Sequence, residues 1–564
     1  MKYYMTFIVL LFFISCKTQH PVAKNENNNS KPNILWIVTE DISPTLSMYG
    51  DSTAKTPNLD ALASEGTVYT NVFTTAGVCA PSRSALITGV MQSSIGTMHM
   101  RTAKDVFSWG KRQYKSKVDI ADIEGDTIKQ YSTVIPGYIK CFPEYLRQNG
   151  YYCTNNAKTD YQFAAPLSAW DENDWSAHWR HRPEGKPFFA VFNIGLTHES
   201  RLWKHADKPL TVNSGDVFVP PYLPDTKTSR KTVARHYSNV ELMDKKVGEI
   251  IEQLKEDGLY DNTIIFFYSD HGGPLPRQKR EVYDSGLKVP LIIKNINSSI
   301  KGYNDRLISF LDFAPTILSI AGIKAPSYMQ GNAFLGKYKS NSGRKYIYAG
   351  SDRLDECTDR IRTIRNKRYL YVRNYFPQKP GYEDLRYRKN IPMMPEMLDL
   401  KDEGKLDSIQ MEWFVPKSGF EELYDCKKDP YDINNIAGNP DYNEILDSFR
   451  NEYLKITQNI PDLGMIPEAQ LIDMMWPDGV QPNTENPEIE FKNGKIFLSC
   501  NTSGASISYL FSDNPDKKFD FNDKWLLYTK PLSIAKSKYI YVVTERIGYR
   551  ISKMKRYDIA SDQK

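Results

Sequence analysis

Cysteine is scarce in this sequence: seven occur in 564 residues, too few to form a disulfide framework. Charge of one sign is scarce as well. The 73 Lys and Arg residues face 68 Asp and Glu residues, and a net charge of +5 over this length excludes a strongly basic, nucleic-acid-binding protein. Beyond the N-terminus no run of 18 apolar residues occurs, so no further membrane span is expected. The remaining composition, 40% apolar and 25% charged, is typical of a globular chain of three or four structural units.

The N-terminus carries a targeting segment. Lys2 precedes an apolar stretch over residues 5–14, which Ser15 and Cys16 follow, and this stretch is too short to span a bilayer. Phe13-Ile-Ser-Cys16 resembles the bacterial lipoprotein cleavage box. That resemblance implies a signal peptide over 1–15, a lipid on Cys16 and a polar tether over 16–30. We therefore expect a lipid-anchored protein of the bacterial cell envelope, in the periplasm or on the outer-membrane surface; a plain secretory signal cut nearby is the alternative.

Three apolar runs predict buried parallel strands. They cover residues 33–38, 187–192 and 263–268, and polar residues follow each of them. Apolar residues at helical spacing between 240 and 254 predict a helix between the second and third run. Strands that alternate with helices indicate an α/β domain over 31–345, with a large, mostly parallel sheet sandwiched by helices.

The texture of the sequence changes after residue 345. Alternating aromatics at 346–349 and 369–372, a strand at 422–425 and a helix at 443–457 predict a smaller α+β subdomain over 346–465. Five prolines between 461 and 488 suggest a linker. Short strands and turns then predict an appended β-sandwich over 487–564, which packs on the preceding domains or contacts a glycan.

The most informative motif is Cys79-Ala-Pro-Ser-Arg83, because it opens a helix whose free N–H groups attract an anion. This C-x-P-S-R motif resembles that of the type I sulfatases of the alkaline phosphatase superfamily. In that family the cysteine is oxidised to formylglycine (3-oxoalanine) by a maturation enzyme, and the hydrated aldehyde is the nucleophile. The resemblance implies the same for Cys79. A low-pKa or buried cysteine at a helix start is the alternative that the pentapeptide alone leaves open.

Further motifs follow in the family's order, over about residues 31–460. Pro32-Asn-Ile-Leu35 precedes a pair of acids, Thr56-Pro-Asn-Leu59 opens a helix, Ser269-Asp-His-Gly272 forms a second polar pair, and Glu422-Leu-Tyr-Asp425 lies in the C-terminal part. The resemblance implies a metal site made of Glu40, Asp41, Asp270 and His271 with Cys79. Oxygen-rich ligands favour a hard cation over zinc. One Ca²⁺ per chain is the family's usual choice, and Mg²⁺ is the less favoured alternative.

The resemblance also implies catalytic roles for five further residues. Arg83 neutralises the oxyanion of the nucleophile, Lys158 and Lys279 bind sulfate oxygens, and His198 protonates the departing alcohol. Asp160 stands where many members have the histidine that acts as base in sulfate release. Two other departures are Glu40, where aspartate is usual, and Ala157, where glycine is usual.

The remaining histidine and cysteine residues carry weaker expectations. His99 is expected either to line the substrate pocket or to be structural, with no preference between the two. Five cysteines are left over, and Cys141 and Cys153 are either a pair or buried free thiols. The left-over cysteines are Cys141, Cys153, Cys357, Cys426 and Cys500.

The expected activity is removal of sulfate from a sulfated polysaccharide or oligosaccharide, because the chain around Asn155 and His198 resembles bacterial sulfatases of glycosaminoglycans and algal polysaccharides. Basic residues interleaved with aromatics at 360–368 and 386–389 are expected either to line an anionic-glycan cleft or to be a solvated strand face. Two alternatives remain: phosphate or phosphonate ester hydrolysis on the same fold, and an inactive, glycan-binding surface lipoprotein.

Overall fold

The central sheet is built from the apolar runs that the sequence places before polar residues. The computed structural model describes residues 31–101, 120–296 and 300–559. In these residues seven strands form one sheet in the order β3-β4-β1-β5-β6-β2-β7, in which only β6 runs antiparallel to its neighbours. The strands are β1 (Asn33–Thr39), β2 (Thr67–Phe73), β3 (Tyr152–Asn156), β4 (Phe188–Ile194), β5 (Thr263–Ser269), β6 (Leu291–Lys294) and β7 (Gly302–Ser309).

Helices cover both faces of this sheet. They are α1 (Pro57–Glu65), α2 (Cys79–Thr88), α3 (Phe142–Gln148), α4 (Arg201–Lys204), α5 (Lys227–Glu256), α6 (Asp284–Leu287) and α7 (Phe313–Ile320). Alternate residues of β1 enter two different cores: Trp36 lies in the one with α2, α3 and α7, and Ile37 lies in the one with α1 and α5. The predicted α/β fold with a mostly parallel, helix-sandwiched sheet is therefore confirmed.

A second, antiparallel sheet follows in the order β11-β10-β9-β8. Its strands are β8 (Ile347–Ser351), β9 (Ile361–Arg365), β10 (Tyr369–Asn374) and β11 (Glu421–Asp425), and its helices are α8 (Met393–Asp402), α9 (Ser408–Glu412) and α10 (Asn443–Asn459). The helix α10 packs Leu446, Phe449 and Tyr453 against this sheet. This is the smaller α+β subdomain that the sequence predicts.

The segment predicted as a linker is a packed part of the structure. It forms α11 (Glu468–Met475), and Glu468 is buried and accepts a 2.8 Å hydrogen bond from Nη2 of Arg353. Nε1 of Trp476 donates to the carbonyl of Ser132 at 3.1 Å. The linker prediction was wrong because prolines also flank short helices, and a buried ion pair cannot be recognised from composition.

Two antiparallel sheets close the chain. Strands β12 (Glu488–Lys492), β13 (Lys495–Ser499) and β16 (Leu532–Ser533) form one, and β14 (Ser506–Ser512), β15 (Leu526–Leu527), β17 (Tyr539–Glu545) and β18 (Lys555–Asp558) form the other. Ile496 and Leu498 of the first sheet share a core with Ile540 and Val542 of the second, as expected for the predicted β-sandwich.

The sandwich packs on the preceding domains. Its residues Trp525 and Tyr541 lie in the same apolar core as Phe142 of α3. Nη2 of Arg147 donates to the carbonyl of Trp525 at 2.8 Å, and Nζ of Lys140 donates to that of Gly504 at 2.7 Å. The described residues from Pro32 to Ile559 accordingly form one compact unit.

The predicted signal peptide, the lipidation site Cys16 and the tether over 16–30 lie outside the described residues. Among the residues that are described, no helix is both long and apolar enough to cross a bilayer. Cys141 and Cys153 are buried free thiols, which decides between the two alternatives left open for them.

Candidate active site

Cys79 stands at the start of α2, buried at the edge of the central sheet. Every residue of α2 is buried, and Oγ of Ser82 donates to the carbonyl of Asp270 at 2.6 Å, which fixes the helix against the end of β5. Sγ of Cys79 lies 3.2 Å from Nε2 of His271. The positive end of the helix dipole therefore faces the side chains that follow β5.

The four predicted metal ligands other than Cys79 meet at this edge. Glu40 and Asp41 follow β1, and Asp270 and His271 follow β5, its parallel neighbour, so that the carboxyl ends of both strands bring them together. Nε2 of His271 lies 3.1 Å from Oδ1 of Asp41 and 3.7 Å from Oδ1 of Asp270. The backbone of Asp41 adopts a φ of 54°, which turns the chain sharply after the strand.

Each of the three predicted basic residues is paired with one of these acids. Nζ of Lys158 lies 2.8 Å from Oε2 of Glu40, and Nζ of Lys279 lies 2.7 Å from Oδ2 of Asp41. Nε of Arg83 donates to Oδ2 of Asp270 at 3.0 Å. Three buried cations thus surround Cys79, and each is held by a charge-assisted hydrogen bond.

These pairs keep the carboxylates ionised. Burial alone would raise the pKa of Glu40, Asp41 and Asp270, but the nearby cations outweigh it and hold all three below their ordinary values, that of Asp270 at about 2. Burial would also raise the pKa of Cys79, but Lys158 and Lys279 lower it to about 6. The site thus favours a negative charge at position 79.

The donor atoms fit a divalent cation. Donor atoms of Glu40, Asp41, Cys79 and His198 lie within 4.8 Å of one another, and so do those of Cys79, Asp270 and His271. Burial would lower the pKa of His271, yet Asp270, Cys79 and Asp41 raise it to about 10. These three anions therefore favour positive charge at this position. Oδ1 of Asp41 is buried and accepts no well-aligned hydrogen bond from the described residues. The three carboxylates among these donors suit a hard cation such as Ca²⁺.

His198 and Asp160 lie at the same cluster. Nε2 of His198 lies 3.9 Å from Oε2 of Glu40, while its Nδ1 is 2.9 Å from Oγ of Ser200. The side chain of His198 is 15% exposed, more than the paired acids, and so faces the opening of the site. Oδ2 of Asp160 lies 3.6 Å from Nζ of Lys158.

The structure places His99 in a different environment. Its Nδ1 accepts a hydrogen bond from the backbone N–H of Arg353 at 3.3 Å and lies 3.8 Å from Oε2 of Glu468. Burial, with Arg353 nearby, lowers the pKa of His99 in spite of Glu468. Of the two alternatives predicted for His99, these contacts support the structural one.

Two buried residues that the sequence did not single out, Glu199 and Arg280, belong to the same cluster. Glu199 is fully buried and accepts hydrogen bonds of 2.9 and 2.7 Å from the guanidinium of Arg280, and its Oε1 lies 3.3 Å from Nζ of Lys279. The backbone N–H of Glu199 donates to Oδ2 of Asp41 at 2.7 Å. Glu199 follows His198 in the sequence and Arg280 follows Lys279. This adjacency is the signal by which the sequence could have identified them.

Arg83 has a further partner at the end of β4. Its Nη1 donates to Oδ1 of Asn193 at 2.8 Å, and Nδ2 of Asn193 donates in turn to Oδ1 of Asn155 at 2.9 Å. This amide chain orients the guanidinium that lies beside Cys79.

Aromatic and basic groups form the rim of the site. The ring of Tyr387 lies 6.4 Å from that of His198 and 5.2 Å from that of Trp203, and the guanidinium of Arg101 lies 5.7 Å from the Tyr387 ring. Arg101 is held by Asp355 at 2.8 Å, and its side chain is 36% exposed.

The basic stretch at 360–368 does not line this rim as a whole. Arg362 is buried and paired with Asp352 and Asp462 at 2.9 and 2.7 Å, and Arg365 is paired with Asp284 at 2.6 Å. Neither alternative predicted for this stretch, a glycan cleft or a solvated strand face, holds for these two residues, because both are buried and their charges are satisfied inside the protein.

Fold and site together define a class: an α/β enzyme with a buried cysteine surrounded by cations, an arrangement suited to the hydrolysis of anionic esters. The family model described as "Sulfatase" matches residues 32–323, and that described as "N-sulphoglucosamine sulphohydrolase, C-terminal" matches residues 277–413. The chain belongs to the sulfatase family, and its function is that of a sulfatase.

Relatives cover most of the chain. An ulvan-active sulfatase of Formosa agariphila is 42% identical over 97% of this chain and 96% of its own length. The human N-sulphoglucosamine sulphohydrolase is 26% identical over 75% of this chain and 89% of its own. Among solved structures is that of the protein BT4656 in complex with its substrate D-glucosamine-2-N,6-O-disulfate. It is 17% identical with a TM-score of 0.53, over 78% of this chain and 99% of that one, and this likeness is one of fold.

Proposed function

We propose that this sulfatase removes sulfate from a sulfated polysaccharide or oligosaccharide through a formylglycine formed at Cys79. The observation that carries the proposal is the position of Cys79, buried at a helix N-terminus and surrounded by Lys158, Lys279 and Arg83. The 42% identical relative is named an ulvan-active sulfatase, and this supports a substrate of the same class.

Two groups would complete the site. A formylglycine would supply a hydrated aldehyde whose hydroxyl attacks sulfur. A Ca²⁺ held by Glu40, Asp41, Asp270 and His271 would supply positive charge beside the nucleophile and the sulfate oxygens.

The chain's own side chains serve the other steps. Lys158 and Lys279 are buried and preorganised, so that their ammonium groups stabilise negative charge on the sulfate oxygens without reorganisation. Arg83, oriented by Asp270 and Asn193, stabilises the oxyanion at position 79. His198 lies at the opening and donates its proton to the departing sugar oxygen. Asp160, beside Lys158, is the candidate base that accepts a proton when sulfate leaves.

The test is mass spectrometry of the peptide that spans Cys79, combined with assays of an aryl sulfate and an aryl phosphate. We expect the mass of formylglycine in protein from its native host or from cells with the maturation enzyme, turnover of the sulfate ester, and loss of activity in Cys79→Ala. Ser93→Ala, a buried hydroxyl outside the cluster, is the control. An unmodified thiol in active enzyme would refute the mechanism, and preference for the phosphate would favour the alternative ester.

The substrate class is testable in the same preparation. Ulvan and glycosaminoglycans are the polymers to compare, with released sulfate as the readout. We expect release from ulvan to exceed release from glycosaminoglycans, because the relative with the highest identity reported above is ulvan-active. The reverse order would assign the glycosaminoglycan class.

We also propose that a lipid on Cys16 anchors the protein to the cell envelope. The support is the signal-like segment over residues 1–15 and the polar tether that follows it. Fractionation of cells that produce the full chain should place it with membranes, and Cys16→Ser should release it. Retention of Cys16→Ser in the membrane fraction would contradict the anchor.

A further inference from the structure

A groove lies at the junction of the catalytic part and the C-terminal sandwich. Its cavity volume is about 660 Å³, which is within the range of small-molecule binding sites. Its walls come from three separate parts of the chain: residues 129–132 with Ala164, residues 476–481 after α11, and two loops of the sandwich. None of the residues assigned above to the active site lines it.

Aromatic side chains dominate its apolar walls. Phe519 and Phe521 lie edge to face with ring centroids 4.7 Å apart. Trp476 is anchored through Nε1 to the carbonyl of Ser132, and the hydroxyl of Tyr549 accepts a 2.9 Å hydrogen bond from Arg546. Such held rings present flat apolar faces at little entropic cost, and the C–H faces of pyranose rings are their natural complement.

Two basic side chains complete the lining, one on each side of the junction. Lys129 belongs to the catalytic part and Arg550 to the sandwich, and both are exposed. Neither side chain forms an ion pair with the described residues. The acid in the lining, Glu545, is engaged, since its Oε2 accepts a 2.9 Å hydrogen bond from the backbone N–H of Leu167. The groove thus offers aromatic faces and available positive charge, a combination complementary to a sulfated sugar chain.

The groove is close to the site of reaction. Ala164 in its wall follows the candidate base Asp160 by four residues, which limits their Cα separation to about 14 Å. Between them, the backbone N–H of Gln162 donates to Oγ of Ser84 in α2, which ties the segment to the helix that carries Cys79. A chain that lies in the groove would therefore be within a few sugar units of the nucleophile.

We propose that this junction groove is a second binding site for the sulfated polysaccharide, distinct from the catalytic site. The inference rests on the proposed function for the choice of ligand. Holding one stretch of polymer in the groove raises the effective concentration of its esters at the active site, so the groove lowers KM for long chains without changing the chemical step.

The test uses the charge-reversal pair Lys129→Glu and Arg550→Glu in the full chain. Affinity electrophoresis in gels containing ulvan is run in the Cys79→Ala background, so that binding is measured without hydrolysis. We expect the pair to weaken retardation at least about fivefold, and Phe521→Ala to weaken it as well because a stacking face is lost. The control pair is Lys231→Glu and Lys245→Glu, two exposed lysines of α5 outside the groove.

Kinetics of the active enzyme separate this inference from the proposed function. The groove variants should raise KM for ulvan and leave turnover of a small aryl sulfate unchanged. Binding of ulvan equal to that of the control pair would overturn the groove. Failure to hydrolyse ulvan, with binding that still depends on Lys129 and Arg550, would refute the proposed substrate and retain the groove.

Discussion

The substitution Lys158→Met tests the electrostatic design of the site most directly. It removes an ammonium group that is 6% exposed and 2.8 Å from Oε2 of Glu40, while the methionine retains most of the side-chain volume. At an effective dielectric constant of about 20, two unit charges at this distance attract by about 6 kcal/mol. Removal of one partner of such a buried pair leaves the other charge uncompensated, which costs about 3–5 kcal/mol.

Two measurements follow from these magnitudes. Loss of one preorganised charge at the sulfate oxygens lowers kcat by about 10²–10³, or about 2.7–4 kcal/mol of activation free energy. Thermal unfolding should show a lower Tm for Lys158→Met, with a larger drop in EDTA than in Ca²⁺, because a bound cation also compensates the Glu40 carboxylate. Kinetics are measured on an aryl sulfate, after mass spectrometry shows equal formylglycine content in both proteins.

Two comparisons keep this prediction falsifiable. Lys231→Met, an exposed lysine of α5, should leave both kcat and Tm unchanged. In the double variant with Glu40→Gln, the stability loss should be smaller than the sum of the single losses, since neither charge is then left alone. A kcat of Lys158→Met within threefold of the wild type would refute the assignment of Lys158 to the sulfate.

Four further predictions concern proton donation, metal, pH and the appended domain. His198→Ala should reduce turnover of a sulfated sugar much more than turnover of nitrophenyl sulfate, whose good leaving group needs no protonation; an equal loss on both would contradict its role as acid. Chelation by EDTA should abolish activity and lower Tm, and Ca²⁺ should restore both better than Mg²⁺; activity that persists in EDTA would argue against the metal site. Burial and Asp284 raise the pKa of Asp432 to about 7, so between about pH 4 and 7 the folded state keeps a proton that the unfolded state has lost, and stability should fall as the pH rises through this range. Asp432→Asn should flatten this dependence of Tm on pH, and an unchanged slope would contradict the assignment. Deletion of residues 487–564 removes Trp525 and Tyr541 from the core they share with Phe142, so the truncated protein should unfold at lower temperature and lose polymer turnover, and unchanged stability and turnover would show that the sandwich is dispensable.

Much of the site was predictable because its residues follow strand ends. Glu40 and Asp41 come directly after one apolar run, and Asp270 and His271 after another, and parallel strands bring such ends to one edge of a sheet. The helix at Cys79 was likewise predictable from local chemistry. The placement of His198 and Lys279 depended instead on the resemblance to a family, since nothing in the local sequence distinguishes them from other polar residues.

Other features were out of reach of the sequence because they arise from pairings between distant segments. Glu199 looks like an ordinary acid beside a histidine until Arg280, 81 positions away, is seen to hold it. Glu468 is likewise paired with the distant Arg353, and this pair holds the proline-rich stretch against the rest of the protein.

The sequence by itself determined three strands of the central sheet, the helix that carries Cys79 and the acids at two strand ends, because periodicity and strand ends are local properties. Only the tertiary structure decided which cation pairs with which acid, and that Arg362 and Arg365 form internal ion pairs. It also decided that the sandwich and the catalytic part line a common groove. The physical reason is that charge compensation and cavity shape depend on distances between segments far apart in the chain, and composition and spacing contain no such distances.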